Sequence, residues 1–309
     1  MRPFAIAGVQ MDVSASHENV TAMGRRLELL VKKFPWVQMV LFSELAAFGP
    51  LLAHAQTLPG PAEAAFCELA ARHAIWLIPG TLFECVGDDV YNTAPVIAPD
   101  GNVIARARKL FPFRPYETGT RAGTEFVVFD IAGVGRFGVS VCYDMWFPET
   151  TRTLAALGAE VILHPSLTDT IDRGVELAIA RASAAVNQCY FFDVNGVGDG
   201  GVGRSIVIGP SGDVLHEAGA GPETMPIEID LERVRHERET GLRGLGQPLK
   251  SFRDRAVELT VYQRSEPAEA YLRSLGALVK PPRGGRSAPG QFETQELPDH
   301  RRRAEEDPA

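Results

Sequence analysis

The sequence contains no run of about 18 apolar residues, which is the length that a helix needs to cross a bilayer. We therefore expect no transmembrane helix and no membrane partner. Arg2 is followed directly by a strand pattern without a cleavage-site motif, so no signal peptide is expected. Basic residues are also outnumbered, with 31 Lys and Arg against 39 Asp and Glu and a net charge of −8. This balance disfavours nucleic-acid and anionic-membrane partners and is typical of a cytoplasmic protein.

Cysteine and metal-ligand patterns are sparse as well. The four cysteines are scattered and form no CxxC pair, which indicates a reducing compartment. The seven histidines show no metal-ligand spacing, so we expect no metal. Residues 198–203 match the glycine spacing of a dinucleotide site, but a strand pattern rather than a helix follows them. No cofactor is expected. The cysteines are Cys67, Cys85, Cys142 and Cys189.

Strand and helix patterns alternate along the chain, which predicts an α/β protein. Turn sequences at residues 99–102 and 210–213 predict antiparallel neighbours, which an all-parallel sheet would not need. The pattern therefore favours a four-layer α-β-β-α sandwich of two mixed β-sheets with outer helices. Predicted strands lie near residues 4–10, 37–42, 75–81, 91–98, 102–109, 126–130, 136–142, 160–164, 189–195, 204–209 and 213–217, and predicted helices near residues 17–33, 61–72, 148–158, 174–186 and 266–275.

The end of the sequence changes in character. Residues 281–309 are dominated by Gly, Pro, Arg and Glu, which predicts a flexible tail. Residues 1–280 are predicted to form one domain. Within it, residues 231–280 follow a compact β pattern as a charged, extended segment. We expect this segment to have little left to pack on in its own subunit.

Cys142 lies where a buried strand pattern ends and a helix pattern soon begins. Residues 137–141 are apolar or small, and a helix is predicted from residue 148. A thiol at a strand-to-helix turn is close to backbone N–H groups and to a helix N-terminus, which favours negative charge. A nucleophilic cysteine would be placed in such a turn. The alternative is a buried cysteine that fills the core.

Three more polar residues occur at predicted strand ends. Glu44 follows the apolar residues 37–42 and is either a solvated loop residue or a general base. Lys109 ends another strand, and an apolar cluster at residues 110–113 follows it. Lysine at a strand edge is usually solvated, so each residue taken singly favours the ordinary interpretation. His164 also ends a strand, and both a structural histidine and a pocket residue remain open.

Taken together, Glu44, Lys109 and Cys142 resemble the Glu–Lys–Cys triad of the carbon–nitrogen hydrolase (nitrilase) superfamily in type, order, spacing and flanking residues. The resemblance extends over roughly residues 4–230. It implies the same α-β-β-α sandwich. It also implies a homodimer or a larger even-numbered homo-oligomer, with residues 231–280 crossing a two-fold interface. Further segments that carry the resemblance are residues 4–12, Lys109–Pro112, Gly138–Glu149 and Gly158–Ser166.

The resemblance implies a role for each member of the triad. Cys142 would attack the substrate and form a thioester. Glu44 would take the thiol proton, pass it to the leaving amine and then activate water. Lys109, with the backbone N–H of Tyr143, would stabilise the oxyanion.

Further site residues follow from the same resemblance. Glu117, eight residues after Lys109, resembles the family's second glutamate and would position Lys109 and the substrate amine or assist proton transfer. Tyr143, Trp146 and His164 are the predicted substrate-binding residues.

The predicted function is that of a thiol amidohydrolase, which would cleave the non-peptide C–N bond of a small linear amide and release ammonia or an amine. An N-carbamoyl amine or amino acid is the second candidate substrate, and a nitrile is the third. A non-catalytic scaffold of the same family is the alternative from another class. The intact triad argues against it.

Overall fold

The computed structural model describes residues 3–263 and 266–280, so the predicted tail at residues 281–309 lies outside the described residues. The strands are β1 (Phe4–Gln10), β2 (Asp12–Val13), β3 (Met39–Phe42), β4 (Trp76–Ile78), β5 (Leu82–Val86), β6 (Asp89–Ile97), β7 (Val103–Arg108), β8 (Val127–Ile131), β9 (Gly135–Val139), β10 (Val161–Ser166), β11 (Tyr190–Asn195), β12 (Val197–Gly198), β13 (Ile206–Ile208), β14 (Val214–Glu217) and β15 (Glu223–Ile229). The helices are α1 (Val20–Lys33), α2 (Pro61–His73), α3 (Pro148–Ala156), α4 (Arg173–Asn187), α5 (Leu231–Thr240), α6 (Pro248–Arg253) and α7 (Glu266–Ser274). Short 3-10 helices lie at Leu52–His54, Cys142–Trp146, Leu242–Gly244 and Thr260–Tyr262.

Two mixed sheets carry the fold, as predicted. The first has the order β15-β1-β3-β4-β6-β5, and β7 also pairs with β6. The second has the order β14-β13-β11-β10-β9-β8. Both sheets combine parallel pairs, such as β1 with β3 and β10 with β11, and antiparallel pairs, such as β6 with β7 and β13 with β14. The last two pairs are joined through the two predicted turns.

Three apolar clusters define the layers. The largest lies between the sheets, where the Phe4 ring from β1 lies 5.5 Å from the Phe137 ring of β9. A second cluster joins the other face of the first sheet to α1 and α2, and a third joins the second sheet to α3 and α4. Strand alternation produces this division: Val161 and Leu163 of β10 belong to the central cluster, and Ile162 between them belongs to the third. The prediction of a four-layer α-β-β-α sandwich is confirmed.

The described residues fall into two compact units. The first contains residues up to 112 and residues 119–254, and it holds both sheets. The second contains residues 113–118 and the residues from 255 onward, among them α7. Within the residues that the structure describes, no helix is long and apolar enough to cross a membrane.

Helix α5 corrects one expectation about the segment after residue 231. Leu231 and Val234 are 2 % and 0 % exposed and belong to the cluster between the sheets. Arg235 Nε donates to Glu160 Oε1 at 2.8 Å, and Arg238 Nη2 donates to the carbonyl oxygen of Ala159 at 2.6 Å. The expectation that residues 231–240 have little to pack on in their own subunit is therefore wrong. They form a helix on the core of the same chain.

Candidate active site

Glu44 and Cys142 lie near one edge of the two sheets, because both contact the end of β10. The backbone N–H of Glu44, which follows β3, donates to the carbonyl oxygen of Ser166 at 3.2 Å. The Cys142 thiol, which follows β9, donates to the carbonyl oxygen of the next residue, Leu167, at 3.6 Å. Lys109 follows β7, and its Nζ lies 2.9 Å from Oε1 of Glu44. The negative charge of Glu44 raises the pKa of the Cys142 thiol, and the positive charge of Lys109 lowers it.

The carboxylate of Glu44 has a second buried donor that the sequence did not reveal. Asn92 Nδ2 donates to Glu44 Oε1 at 2.7 Å, and the backbone carbonyl oxygen of Asn92 accepts the backbone N–H of Lys109 at 2.8 Å. Asn92 is 1 % exposed. It therefore positions both charged residues at once. The one signal in the sequence was an amide side chain inside a strand whose following residues are all buried.

The turn after Glu44 depends on a close backbone approach by Gly80. Gly80 has a φ of +75°, and a Cβ at this position would lie 1.8 Å from the carbonyl oxygen of Ser43. Only glycine fits so close to that carbonyl. The neighbouring Thr81 hydroxyl accepts the backbone N–H of Leu45 at 2.9 Å. Residues 80 and 81 thus hold the backbone on both sides of Glu44.

Cys142 begins the 3-10 helix Cys142–Trp146 and has a φ of +45°. A residue other than glycine rarely adopts this backbone conformation, and such strain is concentrated at functional sites. Burial raises the pKa of the Cys142 thiol well above its usual value, and the negative charge of Glu44 raises it further, while Lys109 partly opposes both. The resting group is therefore a thiol and not a thiolate. A nucleophilic Cys142 needs a base, and Glu44 is the carboxylate whose charge raises the pKa of the thiol most.

Aromatic residues surround the turn that contains Cys142. Tyr143 and Trp146 are both half-buried, and their rings lie 6.1 Å apart. Phe147 stacks on Phe111, with ring centroids 3.6 Å apart and an interplanar angle of 11°. Tyr143 meets Phe147 edge-on at 5.4 Å. Tyr143 and Trp146 thus retain exposed surface beside Cys142, and their role in substrate binding stays a prediction.

A buried charge cluster beside Trp146 was also missed by the sequence analysis. Trp146 Nε1 donates to Glu176 Oε1 at 3.3 Å. Arg173 Nη1 lies 3.2 Å from Glu176 Oε2 and 2.8 Å from Asp193 Oδ2. Asp193 Oδ1 accepts the hydroxyl of Ser166, at the strand end that also contacts Glu44. The cluster fixes the indole ring, but Trp146, the Arg173–Glu176 pair and Asp193 are far apart in sequence, and no local motif marks them.

His164 is placed differently from its predicted role in substrate binding. The ring is 0 % exposed and lies 5.1 Å from the ring of Phe191. Its Nδ1 forms a 2.6 Å hydrogen bond with the hydroxyl of Ser140. Burial lowers the pKa of His164 to about 3, so the imidazole is neutral. We correct its assignment from a pocket residue to a structural residue that supports the strand leading to Cys142.

Glu117 belongs to the second compact unit. Its Oε2 accepts the backbone N–H of Phe113 at 2.9 Å, and its own N–H donates to the carbonyl oxygen of Phe113 at 2.6 Å. The carboxylate thus closes a tight local turn. Its role toward Lys109 and the substrate amine stays a prediction.

The other three cysteines differ from Cys142 in their surroundings. All four are free thiols. Cys189 is fully buried among the helices of the second sheet, and burial raises its pKa to about 12. Cys67 packs against the cluster under α2, and burial raises its pKa as well. Across residues 3–263 and 266–280, no group of three His, Cys, Asp or Glu residues could hold a metal ion.

Comparison with known proteins agrees with this architecture. The carbon-nitrogen hydrolase family model matches residues 5–239. The chain is 32% identical to a nitrilase of Pyrococcus abyssi over 223 residues, which cover 66% of this chain and 76% of the relative. It is 27% identical to the human omega-amidase NIT2 over 229 residues, which cover 69% and 80% of the two chains.

A solved structure shows the same likeness in three dimensions. The crystal structure of Nit3 from Saccharomyces cerevisiae, a member of branch 10 of the nitrilase superfamily, is 27% identical and superposes with a TM-score of 0.70. The match covers 77% of this chain and 94% of Nit3. Together with the sandwich fold, these matches show that the chain is a hydrolase of the carbon–nitrogen hydrolase (nitrilase) superfamily and belongs to its amidase-like branch.

Proposed function

We propose that this protein is a thiol amidohydrolase that cleaves the C–N bond of a small linear amide through a thioester on Cys142. One observation carries the proposal: the buried ion pair of 2.9 Å between Lys109 and Glu44 and the Cys142 thiol, which is held in a strained turn, meet at the end of β10. Amide cleavage through a covalent intermediate requires a base, a nucleophile and a group that stabilises the oxyanion, and a cation such as Lys109 can serve as that stabiliser.

The first half of the reaction forms the thioester. Glu44 takes the proton from the Cys142 thiol as the sulfur attacks the amide carbonyl carbon, because the raised pKa of the thiol leaves it protonated at rest. Lys109 and the backbone N–H of Tyr143 stabilise the negative charge that develops on the carbonyl oxygen. Protonated Glu44 then gives its proton to the leaving nitrogen. The C–N bond breaks, and ammonia or an amine departs.

The second half returns the enzyme to its starting state. Glu44 takes a proton from a water molecule, and the hydroxide oxygen attacks the thioester carbon. The same two donors stabilise the second oxyanion. The C–S bond breaks, the thiolate of Cys142 recovers the proton from Glu44, and a carboxylic acid leaves.

The amide is favoured over the other substrates by the relatives. The human and yeast relatives carry the name omega-amidase, which supports an amide as the substrate class. The Pyrococcus abyssi relative carries the name nitrilase, which supports a nitrile as the second candidate. An N-carbamoyl amine presents the same carbonyl and leaving nitrogen as an amide.

The four free thiols suit a reducing compartment, and we propose a cytoplasmic enzyme.

The test is ammonia release from linear amides, N-carbamoyl amines and nitriles by the wild-type protein and by Cys142→Ala. We expect release from at least one amide by the wild type and none by the variant. Mass spectrometry of the wild type, quenched during turnover, should show an acyl adduct on Cys142. Cys85→Ala, in β5, is the matched control and should keep full activity. Wild-type ammonia release by Cys142→Ala would show that the nucleophile is wrong, and an inactive wild type would favour the scaffold.

A further inference from the structure

Asp144 is a buried carboxylate that the proposed reaction does not use. It lies two residues after Cys142 and is 1 % exposed. Its Oδ1 accepts the backbone N–H groups of Leu110 at 3.0 Å and Phe111 at 2.8 Å. Its Oδ2 accepts the backbone N–H of Val141 at 2.9 Å. The single side chain therefore receives three backbone donors from two separate segments.

The two segments are those that carry Lys109 and Cys142. Leu110 and Phe111 directly follow Lys109 after β7 of the first sheet. Val141 directly precedes Cys142 after β9 of the second sheet. The carboxylate thus joins the end of a strand in one sheet to the end of a strand in the other. The position of the ammonium relative to the thiol depends on this connection.

A local capping role does not account for all three bonds. The bond from Val141 N–H closes the turn around Cys142, together with the 3.0 Å bond from the Asp144 N–H to the carbonyl oxygen of Val141. The two bonds to Leu110 and Phe111 span more than thirty residues of sequence and add nothing to that turn. The stacked rings of Phe111 and Phe147 join the same two segments a second time.

We propose that Asp144 is a positioning residue that sets the Lys109 ammonium against the Cys142 thiol through these three backbone bonds. The inference rests on the proposed function, because it assumes that Lys109 and Cys142 act on one substrate. Asp144 itself does not touch the substrate. A displacement of about 1 Å between reacting groups can cost about a hundredfold in rate, so loss of the connection should appear in kcat.

Asn is the informative replacement at this position. In Asp144→Asn the carbonyl oxygen can still accept from Leu110 and Phe111, but the amide NH₂ then opposes the N–H of Val141. The variant keeps the size of the side chain and loses the connection on the Cys142 side. Glu160→Gln is the matched control. Glu160 is also buried and accepts a backbone N–H from Arg136 at 3.2 Å. It precedes β10 and therefore lies at the opposite end of that strand from the site.

The ionisation of Asp144 supplies a second measurement. Burial raises its pKa to about 7 although the backbone donors of Val141 and Phe111 and the ammonium of Lys109 lower it, and Glu44 adds to the rise. The charged groups that act on Asp144 are thus Lys109 and Glu44. Below pH 7 the wild-type carboxyl group gains a proton and can no longer accept all three backbone N–H groups. The wild type should then lose its advantage over Asp144→Asn.

The experiment measures kcat, KM and the melting temperature of the three proteins between pH 5.5 and 8.5, on the amide that the wild type hydrolyses. At pH 8 we expect Asp144→Asn to lose about ten- to hundredfold in kcat with KM within about twofold, and this gap to narrow as the pH falls below 7. Glu160→Gln should keep its kcat at every pH.

Three results would overturn the inference: an Asp144→Asn kcat within about twofold of wild type, a loss confined to KM, or an equal loss of kcat in Glu160→Gln. An Asp144→Asn variant that fails to fold is replaced by Asp144→Ser, with the same expected loss of kcat. These results are separate from failure of the proposed function, because that function fails only if the wild type is inactive or Cys142→Ala is active.

Discussion

The ammonium of Lys109 lies 2.9 Å from Oε1 of Glu44, and each side chain is only 3% exposed. A buried ion pair of this kind contributes little net stability, because desolvation of both charges offsets their attraction. Removing one partner nevertheless costs several kcal/mol, since the other charge is left buried and unpaired. The pair is therefore better explained by the proposed chemistry than by stability, with Glu44 as the proposed base and Lys109 as the proposed oxyanion donor.

Exchange of Lys109 for Arg tests whether the ammonium is aimed at the reacting atoms. Arg keeps the charge but has a planar fork that is larger and directed differently. We expect Lys109→Arg to lose about two to three orders of magnitude in kcat with a modest change in KM, the usual cost of losing one oxyanion donor. Steady-state ammonia release checks this result.

A matched exchange on the same strand controls for the charge swap. Arg106 of β7 binds Glu63 through two hydrogen bonds of 2.8 and 2.7 Å, away from Glu44. Arg106→Lys should therefore keep kcat near the wild-type value. A near-normal kcat in Lys109→Arg would show that Lys109 is only a structural cation.

The strand ends that carry the site could be predicted from the sequence. Glu44, Lys109 and Cys142 each follow an apolar or alternating run, and a polar residue after such a run marks a sheet edge. Each predicted strand and helix has a counterpart in the structure. The predicted strand at residues 136–142 ends earlier, at Val139, because Cys142 already belongs to the 3-10 helix.

Two physical reasons account for three of the elements that the sequence did not predict, β5, β15 and α5. Strands β5 and β15 lie at the two ends of the first sheet, where each pairs with one other strand and polar residues are tolerated. Strand β15 also contains Pro226, which has no backbone N–H to donate and therefore weakens the strand pattern in the sequence. Helix α5 is charged along most of its length, so its two buried apolar residues gave no clear period.

The residues that position Glu44 and Lys109 also could not be predicted from a local sequence pattern. Asn92 lies 48 residues from Glu44, and Asp144 lies 33 and 34 residues from its two donors near Lys109. Such contacts are set by sheet order and register, which no short motif encodes. The raised pKa of Cys142 depends in the same way on burial and on neighbours from other strands.

His164 predicts a pH dependence of folding stability. Burial lowers its pKa from 6.5 to about 3 in the folded protein. Between these values the unfolded chain binds a proton and the folded protein does not, so His164 lowers the free energy of unfolding as the pH falls below 6.5. From pH 7.5 to 5.5 this loss is about 1 kcal/mol.

The variant His164→Gln has no such group. We expect its free energy of unfolding to fall by about 1 kcal/mol less than that of the wild type between pH 7.5 and 5.5. Urea unfolding at the two pH values measures the difference. His236→Gln, at an exposed position of α5, is the control and should follow the wild type. Equal pH slopes for wild type and His164→Gln would contradict a neutral, buried imidazole.

Two truncations separate the role of α5 from that of the residues after it. A chain that stops after Asp230 loses Leu231 and Val234 from the core between the sheets, together with the bonds of Arg235 and Arg238. Burial of two such side chains contributes about 3–6 kcal/mol, a large part of a typical domain's stability. We expect this chain to be unfolded or insoluble. A chain that stops after Asp254 keeps the whole first unit and should retain its circular dichroism spectrum and thermal transition.

Truncation after Asp254 should instead change the oligomeric state. Residues 255–280 expose large apolar side chains, among them Val257 at 63%, Leu275 at 65% and Leu278 at 71%. A set of this size on a short segment is typical of a protein interface. We therefore expect light scattering to show a dimer or larger even-numbered oligomer for the full chain and a smaller species for the chain that stops after Asp254. A chain that stops after Lys280 is the control and should assemble like the full chain. A monomeric full-length protein would contradict the predicted two-fold interface, and an unchanged oligomer after the Asp254 truncation would place that interface on the first unit.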